Sequence, residues 1–315
     1  MGTLEDSPVL ALEHNIIAAF ESFHANVAGL VARGVVDGDV LLDLDAAPPR
    51  TPRVDRAAIE ENAQIRVHVV LFELLWAFIY SWTVIYEETV QKAQLRGAEV
   101  GETTAENEQL VSRAYELWSW AKSLREGYMR WPKNLPSPRH QCSESETWYA
   151  LKANLIFQQA ASFLLSHELA HMTQGHLDIS RVDANADALS MQLENEADQR
   201  AFDKVVGQGL EDKEKSDKAW AIFSVMLSSM FTLPEARLAL VSHGHPPLHH
   251  RLGHLVRSLG FEGEGYRHYF PLLARVVLQD AFPELARPGQ HYEDAEEAFH
   301  AALDDLDRLA STGSV

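Results

Sequence analysis

A mainly α-helical fold is predicted by three features of the sequence. Apolar residues recur at helical spacing over residues 10–31 and 106–125; residues 148–175 read as one long helix; only residues 34–42 carry a good strand signal. At 315 residues, 46% hydrophobic and 23% charged, the chain suffices for one large domain or two small ones. The expected organisation is a helical N-terminal region, residues 1–140, packed on a second region, 141–315, that carries the chemistry.

In chain order, Leu12, Ile16, Phe20, Phe23 and Val27 form the apolar stripe of a packing helix. Residues 34–42 place Asp37-Gly38 between short β-formers, as in a hairpin, and such a piece has the character of a sheet edge onto which a peptide adds. Three prolines make residues 46–53 a linker. Residues 67–86 are the most hydrophobic stretch and, at 20 residues, long enough to cross a bilayer. His68 and Glu73 interrupt that stretch and Glu87 and Glu88 follow it, so a buried central helix is the expectation; Glu73 then needs a partner. An amphipathic helix over 106–125 ends in Trp118 and Trp120. Residues 131–138, with three prolines, are irregular and placed to cover a cleft. Ser145 is the expected N-cap of the long helix and Gly175 its end. Further helices are expected over 186–206, 248–259, 266–280 and 293–309, and an apolar packing segment over 220–231. No internal repeat is present.

The long helix carries His167-Glu168-Leu169-Ala170-His171. Residues four apart share a helix face, so both imidazoles can point at one Zn²⁺ with Glu168 beside its open side. A catalytic zinc takes three protein ligands and keeps a place for water, whose pKa it lowers to about 7. Glu168 then takes the proton of the attacking water and passes it to the leaving amine. His176 is the nearest third histidine, but the extended motif needs Gly at 174 and His at 177, where the chain has Gln174 and Leu177. Glu194 is the better third ligand, because 23 residues separate it from His171, enough for a second helix to return across the first. Asp198 follows one helical turn later and can accept the free N–H of a ligand imidazole, His167 foremost. Glu196 projects to another side of that helix.

These residues, with Gly175-His176, Ser242-His243-Gly244-His245-Pro246-Pro247 and Arg251, resemble the motif order of gluzincin peptidases of the HtpX and CAAX-protease type, over residues 163–259. Among soluble members of that group the chain most resembles the Lit-type phage-exclusion peptidases. The resemblance implies a gluzincin-like zinc peptidase domain with an N-terminal helical extension. It implies zinc on His167, His171 and Glu194, Glu168 as base, and Asp198 and Arg251 around the site. It also implies that His245 stabilises the oxyanion, against which stands a plain role in starting the helix after Pro247. A protein or peptide substrate and an activating phage component are likewise implied.

A net charge of −19 disfavours nucleic acid and acidic membrane surfaces as partners. A lone Cys142 allows no internal disulfide, and residues 1–6 lack the basic and apolar regions of a signal peptide; the cytoplasm is the expected compartment. Cys142 also comes into question as an inhibitory fourth ligand of the zinc. His249, His250 and His254 cluster in sequence, but no spacing among them completes a second ligand set. Two other classes stay open: a binding module with a structural zinc, and a membrane-attached metalloprotease using residues 67–86.

Overall fold

The computed structural model describes residues 4–23, 27–33, 40–55, 63–97, 103–176, 186–207, 210–241, 246–259, 269–286 and 291–312. A 3₁₀ turn, Pro8–Leu12, leads into α1 (Glu13–Phe23), with Leu12, Ile16 and Phe20 buried as the periodicity requires, and α2 (Val27–Ala32) follows. Three short strands come next: β1 (Leu41–Asp43), β2 (Arg53–Asp55) and β3 (Gln64–His68). They form one sheet in the order β1-β3-β2, with β1 parallel and β2 antiparallel to β3. This corrects the expectation of a single strand signal. The turn of the expected hairpin at Asp37-Gly38 lies outside the described residues, and β1 itself pairs in parallel with β3.

The centre of the molecule is α3 (Val69–Tyr86), every residue of which is buried. Its apolar character runs all round rather than along one stripe, and such a helix is stable only when covered on every side. Although long and apolar enough to cross a membrane, it is covered here by protein. A π-helical segment (Glu87–Gln91) continues it into α4 (Lys92–Leu95). The expected helix start at 67 is early by two residues, because Val67 and His68 complete β3.

Two long helices flank α3: α5 (Ala105–Ser123) and α6 (Glu144–Thr173). Small residues on α6, Ala150, Ala153, Ala160 and Ala161, are buried and let the helices approach closely. Phe72 meets Phe157 edge-to-face at 5.4 Å, and Trp76 Nε1 donates to Asn154 Oδ1 at 2.7 Å, satisfying a buried indole. Tyr149 and Lys152 of α6 tie down the buried carboxylates Glu88 and Glu87. Ser143, not Ser145, caps α6: its Oγ accepts from the Glu146 backbone N–H at 3.1 Å.

The remaining helices close the fold: α7 (Ala186–Val206), α8 (Asp212–Ser229), α9 (Leu248–Leu259), α10 (Tyr269–Ala281) and α11 (Ala295–Thr312). The charged and apolar halves expected between 211 and 231 belong mostly to one helix, α8, which packs against α3, α6, α9 and α10.

Glu73, fully buried on α3, finds a partner in Ser7, whose Oγ donates to its Oε1 at 2.6 Å, while its Oε2 has none among the described residues. Burial, opposed by the Ser7 hydrogen bond, pushes its carboxyl from 4.5 up to about 7. The folded protein therefore holds a proton that the unfolded chain has released, and stability falls as pH rises through that window. The loss amounts to about 3 kcal/mol once the pH exceeds 7. Glu73→Gln removes this dependence, so the difference in unfolding free energy between variant and wild type should move in favour of the variant by about that amount from pH 5 to pH 8. Urea midpoints of both proteins across that range measure it.

Candidate metal centre

The last turns of α6 present His167, Glu168 and His171, and α7 packs across α6 to bring Glu194 and Asp198 to the same place. Gly175 ends α6 at a φ of +73°, a left-handed conformation that glycine adopts without strain, and it turns the next residue, His176, back toward the helix.

Three donor groups converge. His167 Nε2 and His171 Nε2 are 3.1 Å apart, and the Glu194 carboxylate straddles them, Oε2 at 3.3 Å from His167 Nε2 and Oε1 at 3.3 Å from His171 Nε2. A tetrahedral zinc with bonds of 2.0–2.1 Å has ligand atoms roughly 3.3 Å from one another. The donor chemistry suits zinc, and the two imidazole nitrogens with either oxygen of the carboxylate lie close enough together to hold one ion. Solvent hardly reaches these groups, and no other described residue offers a donor atom within the triangle.

The outer nitrogens also have neighbours. His167 Nδ1 lies 2.9 Å from Asp198 Oδ1. Arg251 of α9 grips the same carboxylate in a two-pronged contact, Nε to Oδ2 at 2.7 Å and Nη2 to Oδ1 at 2.8 Å. Burial alone would raise the Asp198 carboxyl, but Arg251 and His167 outweigh it and hold it well below the usual carboxylate range. For His167 burial lowers basicity, yet Asp198 and Glu194 prevail and raise it to about 10. On the other side His176 Nδ1 is 3.1 Å from His171 Nδ1, and His176 Nε2 is 3.7 Å from Glu196 Oε2. Burial, and then proximity to His171, keep His176 below the ordinary imidazole range.

These groups open onto a cavity of about 390 Å³. Glu168 and Arg251 line it together with the donors, Phe163, Leu164, Val225 and Met226 give it an apolar wall, and Thr51, Pro52 and Val54 border it. Among the described residues the strand at the cleft is β2, an edge strand; residues 34–39 of the expected substrate edge lie outside the described residues.

His243 and His245 lie outside the described residues, and with them the expected oxyanion contact. The proline-rich loop at 131–138 does not cover this cleft; it borders a separate cavity of about 660 Å³ beside Glu73. Cys142 is exposed next to Arg113 and His140, just before the first residue of α6. At 1.5 Å per residue the helix separates it from His167 by roughly 35 Å, so it is no ligand to this centre.

Two contacts were missed in the sequence. The first is His176 against His171, signalled only by the glycine before it. The second is Asp307 of α11, whose Oδ1 is 2.8 Å from His249 Nε2 and 3.0 Å from His250 Nε2. Those three residues make another metal-capable group, which the spacing of the histidines alone did not reveal. However, His249 Nδ1 is buried without a partner among the described residues, and a metal on Nε2 would place an N–H there with none of them to accept it. A hydrogen-bonded clamp between α9 and α11 accounts for the cluster.

A family model described as Peptidase U49 matches residues 65–270, about two thirds of the chain, from β3 to the start of α10. No curated protein and no solved structure gives a significant match.

Proposed function

The chain belongs to the Peptidase U49 family, and from that premise we propose that it is a zinc-dependent endopeptidase of gluzincin type with its centre at His167, His171 and Glu194. The observation that carries the zinc reading is the triangle of 3.1 Å and 3.3 Å separations among two imidazoles and one carboxylate. A zinc ion held there supplies Lewis acidity, which polarises a carbonyl and acidifies water.

The chain's own residues supply the rest. Glu168 lines the cavity one residue from the first histidine and accepts the proton of the attacking water on its carboxylate, later passing it to the nitrogen of the leaving amine. Asp198, fixed by Arg251, faces His167 Nδ1 and so favours the tautomer whose Nε2 lone pair is free. The apolar wall of Phe163, Leu164, Val225 and Met226 favours a substrate side chain that is itself apolar, and the edge of β2 offers backbone groups to an extended peptide. His245 remains the proposed oxyanion donor. Only the order of motifs shared with the Lit-type peptidases supports a cytoplasmic protein as substrate and a role in phage exclusion.

Metal content tests this reading. Protein purified without chelator should hold about one zinc per chain, Glu194→Ala should lose it, and Glu196→Ala should keep it at saturating zinc. A wild-type chain that takes up no zinc on titration would return the histidines to a purely structural role. A second reading, a structural zinc in a binding module, predicts the same metal content but no dependence of any activity on Glu168. Only three protein donors converge among the described residues, whereas structural sites are closed by four.

A further inference from the structure

We propose that His176, backed by Glu196, is a positioning residue for the metal centre: it accepts a hydrogen bond from His171 Nδ1 and thereby sets the tautomer and the direction of that ligand. The inference rests on the zinc reading above and concerns groups that reading leaves without a role.

The argument is one of proton placement. His171 turns Nε2 toward His167 Nε2 and Glu194, so a metal there must use the Nε2 lone pair. Neutral imidazole carries one proton, which must then lie on Nδ1, and that nitrogen needs an acceptor. The atom opposite it is His176 Nδ1, at 3.1 Å. His176 can accept there only as the tautomer protonated at Nε2, and its Nε2 is turned toward a carboxylate, Glu196 Oε2 at 3.7 Å. One assignment of protons thus suits every contact from Glu196 through His176 and His171 to the metal position. The interplanar angle of 74° between the two rings fits an edge-on hydrogen bond and excludes stacking.

The contact is also protected and specific. His176 is 3% exposed, so water does not compete well for the His171 N–H. It reaches this place because the left-handed Gly175 ends α6 and folds the chain back. On the opposite side the His167 ring has its own support in Asp198 and Arg251. Both imidazole ligands are therefore held from behind, one by a carboxylate held by an arginine, the other by a second imidazole.

The test is zinc affinity, measured by competition with a chromogenic chelator on the full chain. His176→Phe and His176→Leu both remove the acceptor, with different shapes, and each should weaken zinc binding about 10- to 100-fold. His176→Gln, whose side-chain carbonyl can accept from His171, should recover most of the loss. Melting of the chelator-treated protein should change little in all three, which separates positioning from packing. Wild-type affinity in His176→Phe or His176→Leu would overturn the proposal while leaving the zinc reading intact. Failure of the wild type itself to bind zinc would overturn both, and the two failures are read in separate samples. If one variant does not fold, the other together with His176→Gln still decides the matter.

Discussion

Glu168→Gln is expected to lower peptide hydrolysis by about 10²- to 10⁴-fold while leaving zinc content and unfolding midpoint near wild type. The glutamine keeps the shape of the side chain and can still hydrogen-bond water, but it cannot take a proton. Glu168 is half-buried and lines the cavity, next in sequence to His167, so its carboxylate has access to the reacting centre without being one of the three converging donors. The assay is cleavage of a casein or quenched-peptide mixture, with metal analysis on the same preparation. Retention of activity in the variant would remove Glu168 from the base role. The same variant serves in cells: a restriction of phage growth that survives Glu168→Gln would not arise from proteolysis by this centre.

Arg251→Met should produce the largest loss of stability among the site residues, about 3 kcal/mol or more. Asp198 is buried and Arg251 half-buried, and their two-pronged contact is made largely away from water. Removal of the guanidinium strands a carboxylate in a site that burial already makes hostile to charge. Burying two ions is costly, and for that reason the pair is no measure of net stabilisation; breaking it is the destabilising event. The double change Arg251→Met with Asp198→Asn should therefore recover part of the single loss. Urea denaturation of the four proteins in chelator closes the cycle. Additive losses, with no recovery, would show that Arg251 acts through packing of its stem alone.

Much of the helical framework was legible because its signals are local. The period of apolar residues marks α1, α5 and α6, and the four-residue spacing of His167 and His171 places both rings on one face. The sheet was harder to read. β3 runs directly into α3, so its apolar residues merge with those of the helix, and a short apolar run does not reveal its own period. β2 is three residues long and follows the prolines of a linker, so its pairing with β3 depends on the fold rather than on its sequence. A local cue does mark the start of α6: Ser143 stands three residues before Glu146, the spacing of a capping box, whereas Ser145 has Trp148 in that place. The approach of Glu194 needed only a helix returning across its neighbour. The partners Asp307 and Ser7 lie 57 to 66 residues from the groups they satisfy, and no pattern in one sequence announces such pairs.

The all-round covering of α3 bears on how the protein fails as well as on how it folds. When the surrounding helices separate, the fifteen apolar residues of this helix come into water together, and a neighbouring unfolded copy offers them a surface as good as the one they left. Loss of the folded state by heat is therefore a race between recovery and clumping, won by clumping as concentration rises. The useful lifetime of the protein is then governed by how fast the bundle first opens around that helix, a height of barrier rather than a depth of well.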